Sequence, residues 1–116
     1  MSQRDDSISL RQMLDHAEEA VSLICGKTRA DLDVDRVLSL ALVQLLQIVG
    51  EAASRVTTTT RDQHPGIPWI QIVALRNRLI HGYDTIDFDI LWQILTGDLP
   101  NLIVQLKQPL SKSNTP

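Results

Sequence analysis

Aromatic side chains are nearly missing from this sequence: two tryptophans, one tyrosine and one phenylalanine amount to 3% of it. The core must therefore be aliphatic, and no run of rings is present on which single-stranded bases could stack. Cysteine is scarcer still. Cys25 stands alone and cannot form an internal disulfide, and no cysteine and histidine spacing resembles a zinc site, so a reducing, cytoplasmic setting is expected. A polar, acidic N-terminal stretch without an apolar segment gives no sign of export. Long apolar runs are lacking too. The longest, from Val37 to Val49, is interrupted by Ser39, Gln44 and Gln47 and falls short of the roughly 20 residues that cross a bilayer, so no membrane association is expected. Positive charge is also in deficit, at −3 net with a pI near 5.4, which argues against coating nucleic acid by bulk electrostatics and leaves room for a local basic pocket.

What the sequence does contain is helical periodicity. Leu10, Met13, Leu14, Ala17, Val21 and Ile24 form one stripe, with Ser7 expected as its N-cap and Gly26 as its stop. A second helix is expected after the acidic stretch Asp31 to Asp35, running to about Arg55. It is apolar on nearly every side, more than one core face can use, and a second copy of the chain is the simplest cover for the surplus. Thr57 to Pro68 reads as a connecting loop. A third helix starts near Pro68 and stops at Gly82, which places His81 at its C-terminus. Asp87 caps a fourth, and Asp98 a last short one. The expectation is an all-α up-and-down bundle of four main helices plus a short C-terminal helix, one domain over residues 1–110 with a loose tail at 111–116.

The chemistry gathers in Arg76-Asn77-Arg78-Leu79-Ile80-His81-Gly82-Tyr83. Arginine offers a planar fork of donors for a phosphodiester and stays cationic, while histidine moves protons near neutral pH. Together they suit RNA cleavage by the ribose 2′-hydroxyl with no metal and no cofactor. On an ideal helix Arg76 and His81 stand about 140° apart and do not converge if the helix simply continues; unwinding at Gly82 is expected to let His81 swing back toward the Arg76 side. Arg78 and Asn77 are supporting polar groups, and Glu51 is a candidate partner for a motif arginine. The bland reading is that cations at a helix end simply complement its dipole. His16 and His64 are expected to be structural or solvated.

This stretch resembles the Arg-x4-His-x-Tyr motif of HEPN domains, in particular the HepT-like group of small toxins. The likeness extends to Ile48-Val49-Gly50-Glu51-Ala52, Ile67-Pro68-Trp69, Leu91-Trp92 and Asp98-Leu99-Pro100. It implies a HEPN-type bundle, a homodimer, and metal-independent ribonuclease activity with Arg76 and His81 at a composite cleft and Asn77 at the polar position after the motif arginine. It further implies a minimal nucleotidyltransferase antitoxin that transfers AMP to Tyr83, and a larger complex with that partner. The alternative is a non-catalytic helical subunit that binds nucleotide and regulates a nucleotidyltransferase.

Overall fold

In the computed structural model the backbone is described for residues 3–81 and 85–113, and side chains for 5–80 and 85–108. Its helices are α1 (Gln3–Leu23), α2 (Asp31–Val34), α3 (Arg36–Ser54), α4 (Thr58–Gln63), α5 (Trp69–Val73), α6 (Leu75–Leu79), α7 (Phe88–Gln93) and α8 (Leu99–Ser113). The all-α expectation holds. Four long pieces, α1, α3, the pair α5–α6, and α7 running into α8, pack around one aliphatic core that includes Met13, Leu42, Leu46, Ile72, Leu79, Leu91 and Leu102.

Several boundaries differ from the periodic reading, each for a local reason. Helix α1 begins at Gln3, so Ser7 lies inside it rather than at its cap; Asp5 and Asp6 occupy the first turn, where the helix dipole favours them. Gly26 takes its positive φ of 78° in the turn after α1. The acidic stretch itself forms the single turn α2, and Asp35 then caps α3 by accepting from the Leu38 amide at 3.0 Å.

The segment expected as a loop contains α4. Its Thr57 cap accepts from the Thr60 amide, and the turn is held from a distance of 51 residues in sequence by Asp6, which accepts from the Thr57 amide at 3.0 Å and from the hydroxyls of Thr57 and Thr60. Arg61 donates to the carbonyls of Ala53 and Val56 at the end of α3, at 2.9 and 3.1 Å, and lies over the Trp69 ring. These contacts outweigh the poor helix propensity of the three threonines in its first turn.

Burial of Asp6 favours its protonated form, but the hydrogen bonds from Thr57 and Thr60 prevail and hold its pKa below the ordinary carboxylate value. A carboxylate depressed in the folded state stabilises it above the unfolded pKa of about 3.9, and that contribution is lost as pH falls through the folded value. Asp6→Asn is therefore expected to melt earlier than the wild type at pH 7, with the gap closing below about pH 4. Thermal melts across that range check it, and a gap independent of pH would contradict the assignment.

Toward the C-terminus, Asp87 caps α7 as expected, accepting from the amides of Asp89 and Ile90 at 3.1 Å. No separate short helix follows. A π-helical turn, Ile94–Asp98, joins α7 to α8 without a break, and its Thr96 hydroxyl donates back to the Trp92 carbonyl of α7. Asp98 is part of this turn rather than a cap. Helix α8 runs to Ser113, so regular backbone extends into the segment expected as a tail.

Candidate functional site

Helix α3 is the floor of the site. Its core side is made by Leu38, Leu42, Leu45, Leu46, Val49, Ala52 and Ala53, packed against α1 on one flank and α5–α6 on the other. The surplus of apolar surface is smaller than the sequence suggests: Val43 and Ile48 are half-buried, and on α3 the large apolar side chains left exposed are Val37, at 78%, and Leu40, at 47%. By length and composition alone α3 could cross a membrane; here half of it is buried in the fold.

Gly50 lets α5 approach α3. A Cβ there would stand 3.1 Å from the Ile72 carbonyl oxygen and 3.4 Å from that of Val73. Against this close crossing opens a cleft of about 280 Å³, lined by Gln47, Gly50, Glu51 and Ser54 of α3 and by Val73, Arg76 and Asn77 of α5–α6. Gln47, Glu51 and Ser54 recur at the helical spacing of four and three, so they form a polar stripe on an otherwise apolar helix. The Glu51 carboxylate accepts from the Gln47 side-chain amide Nε2 at 3.2 Å, and the Glu51 backbone carbonyl accepts from the Ser54 hydroxyl at 2.6 Å. The stripe was visible in the sequence as polar interruptions in an apolar run, but only Glu51 was singled out there.

Arg76 and Asn77, both exposed, are carried into this cleft by α6. The next arginine is not. Arg78 turns to the opposite flank and donates from Nη1 to Asp98 Oδ2 at 2.9 Å.

The helix stops earlier than expected. Ile80 is extended, at φ −107° and ψ 117°, and pairs with Ile86 while His81 pairs with Thr85, so Ile80–His81 (β1) and Thr85–Ile86 (β2) form a short antiparallel ladder. The chain is drawn out because β-branched Ile80 and Ile86 both pack on the core, and the Leu79 carbonyl is taken by the Asp87 amide at 2.8 Å. His81 thus sits on strand backbone two residues beyond α6 rather than at a helix end, and the unwinding needed to bring it off the helical register occurs at Ile80, not Gly82. The His81 side chain, Gly82 and Tyr83 lie outside the described residues. Of the other histidines, His16 donates from Nδ1 to the Gln12 carbonyl at 2.7 Å within α1, and the His64 carbonyl accepts from the Trp69 indole at 3.1 Å. Among the described residues no three histidine, cysteine, aspartate or glutamate side chains gather as a metal site would require.

The family described as ribonuclease HepT-like matches residues 13–109, spanning α3, the cleft and the Arg76 to His81 stretch. This chain belongs to the HepT-like ribonuclease family. RNA is accordingly its substrate class. Curated relatives agree. The chain is 32% identical over 103 residues to a protein of Caldanaerobacter subterraneus subsp. tengcongensis that carries the name of an RNase, covering 89% of this chain and 92% of the relative. It is 31% identical over 102 residues to one of Methanocaldococcus jannaschii, also named as an RNase, covering 88% and 94%. A Thermococcus cleftensis protein named as a ribonuclease HepT is 33% identical over 98 residues, covering 81% and 89%. No solved structure matches the chain significantly.

Proposed function

We propose that this HepT-like ribonuclease is the toxin of a toxin–antitoxin pair, a metal-independent endoribonuclease that works as a homodimer in the cytoplasm. The observation that carries the reading is the cleft itself: Arg76 and Asn77 stand on one turn of α6, facing the polar stripe of α3, five and four positions before the one histidine of the motif. In the proposed reaction the ribose 2′-oxygen attacks the adjacent phosphorus as the bond to the 5′-oxygen breaks. Arg76 holds the non-bridging oxygens and stabilises the charge that accumulates on them. One His81 takes the 2′-hydroxyl proton and a second protonates the leaving 5′-oxygen, leaving a 2′,3′-cyclic phosphate and a 5′-hydroxyl. Two such histidines require two copies of the chain.

A surface suited to that second copy borders the cleft. Val37 and Leu40 lie on the same side of α3 as Gln47 and Glu51, and Ile70 and Val73 of α5 are 85% and 39% exposed. A two-fold axis through this face would bury apolar side chains that water now touches and bring two Arg76 and two His81 together.

The antitoxin in this proposal is a minimal nucleotidyltransferase that transfers AMP from ATP to the Tyr83 hydroxyl. A phosphodiester and a nucleoside two residues from His81 would occupy the place of the RNA backbone and pair with its arginine. One experiment tests the proposal. Purified protein is expected to cut labelled RNA in EDTA, leaving cyclic phosphate ends, and to lose that activity after treatment with a transferase and ATP, with a mass gain absent from Tyr83→Phe. RNA left intact in EDTA but cut on addition of a divalent metal would refute the metal-independent mechanism, and a mass gain retained in Tyr83→Phe would refute the site of modification.

A further inference from the structure

Arg76 and Arg78 are two residues apart on α6, so an ideal helix sets them about 200° apart, on opposite flanks. Arg76 lines the cleft with α3. Arg78 is held at 2.9 Å by Asp98, which belongs to the π-helical turn between α7 and α8. On that flank Asp98 also lines a second groove, of about 400 Å³, whose other polar side chains, Gln71, Asn101 and Gln105, are uncharged amides. Asp98 is what gives Arg78 an opposite charge there.

Stability does not account for the pair. Both side chains are about one-third exposed, at 33% and 34%, and an ion pair so open to water contributes little to folding. What it does is geometric. It ties the last turn of α6, two residues before β1, to the π-helical turn that leads into α8, and it holds the Arg78 guanidinium on the flank away from Arg76, where its helical phase already points it. A wide π-helical turn at that point is a known way to redirect a side chain, and such turns gather at functional sites.

We infer that Asp98 is a positioning residue of the ribonuclease cleft, acting through Arg78 to fix the end of α6 and to leave Arg76 as the guanidinium that meets the RNA. The inference rests on the proposed role of Arg76. Freed from Asp98, Arg78 becomes a mobile cation near the cleft: RNA binds more tightly but with its phosphate out of line, so KM falls together with kcat. A purely structural role would lower the active fraction and leave affinity and its salt dependence unchanged.

The test uses the full chain and a 2′-O-methyl oligoribonucleotide, which lacks the attacking hydroxyl and can be bound but not cut. Each phosphate contact adds about 0.7 to the slope of log affinity against log salt for a single strand. Asp98→Asn is expected to steepen that slope by about 0.7, and Arg78→Gln added to it to bring the slope back. On cleavable RNA, Asp98→Asn is expected to lower kcat about tenfold with a melting temperature near that of the wild type, and Asp98→Glu to restore it. An unchanged slope in Asp98→Asn, a double variant as steep as the single, or no binding by any of these proteins would overturn the inference. Failure of the wild type to cut RNA would instead refute the catalytic proposal, and the slopes would still decide the role of Asp98.

Discussion

Arg76→Ala is expected to reduce RNA cleavage by about 10²- to 10³-fold, the loss seen when one preorganised donor to an oxyanion is removed. His81→Ala is expected to reduce it by about 10²- to 10⁴-fold, the usual worth of positioned proton transfer. Neither should unsettle the fold. Arg76 is exposed at the cleft rather than packed in the core, and His81 lies on a strand of two residues whose backbone pairing to Thr85 does not depend on its ring. The two variants should differ in kind. Arg76→Lys keeps the charge but loses the planar fork, so only a fraction of activity is expected to return. His81→Ala, whose defect lies in proton transfer, should flatten the pH–rate profile near neutrality while leaving affinity for an uncleavable RNA close to that of the wild type. Cleavage rates, pH profiles and affinities measured side by side check this. Full activity in either alanine variant would remove that residue from the mechanism.

Gly50→Val is expected to damage stability and activity together. The first carbon added at Gly50 meets the Ile72 carbonyl at 3.1 Å, and backbone oxygen on a packed helix cannot rotate aside as a side chain would. Valine adds two further methyl groups, so α5 must move away from α3, at a cost of about 1–3 kcal/mol. For a domain of this size each kcal/mol lowers Tm by about 4–8 °C. Because α5 continues into α6, the displacement carries Arg76 away from Gln47 and Glu51, and cleavage should fall by more than the unfolded fraction explains. Gly97→Ala is the control. Nothing lies within 4 Å of a Cβ there and its φ is not positive, so thermal melts should find it unharmed or stabilised by up to about 1 kcal/mol. Equal melting temperatures for Gly50→Val and the wild type would show that the crossing is looser than its distances imply.

The contrast between these two glycines bears on how much of the protein could be read in advance. Both stand on helical backbone, Gly50 between Val49 and Glu51 and Gly97 between Thr96 and Asp98, and neither pair of neighbours tells which glycine another helix crosses. The helices themselves were legible because their signals are local: the stripe from Leu10 to Ile24, the cap at Asp87, and the near-continuous apolar run of α3 each act over a few residues. The motif from Arg76 to Tyr83 was legible for the same reason, as a dense group of chemically apt side chains in one stretch.

Which members of that stretch share a cleft was a different matter. Helix α4 exists because Asp6, 51 residues upstream of Thr57, satisfies its first turn, and propensity alone favoured a loop. The early end of α6 follows from Ile80 pairing with Ile86, a partner beyond the next turn of chain. Arg78 points away from Arg76 by its helical phase and is held there by Asp98, 20 residues on, which lies in a π-helical turn where the sequence suggested a cap. The amino-acid order by itself determined the helical class, the aliphatic core and the stretch that holds the reactive groups, since periodicity and composition act over neighbouring residues. Only the tertiary structure decided that Arg76 and Asn77 face Gln47, Glu51 and Ser54 and that Arg78 is tied to Asp98, because each of those contacts joins segments far apart in the chain.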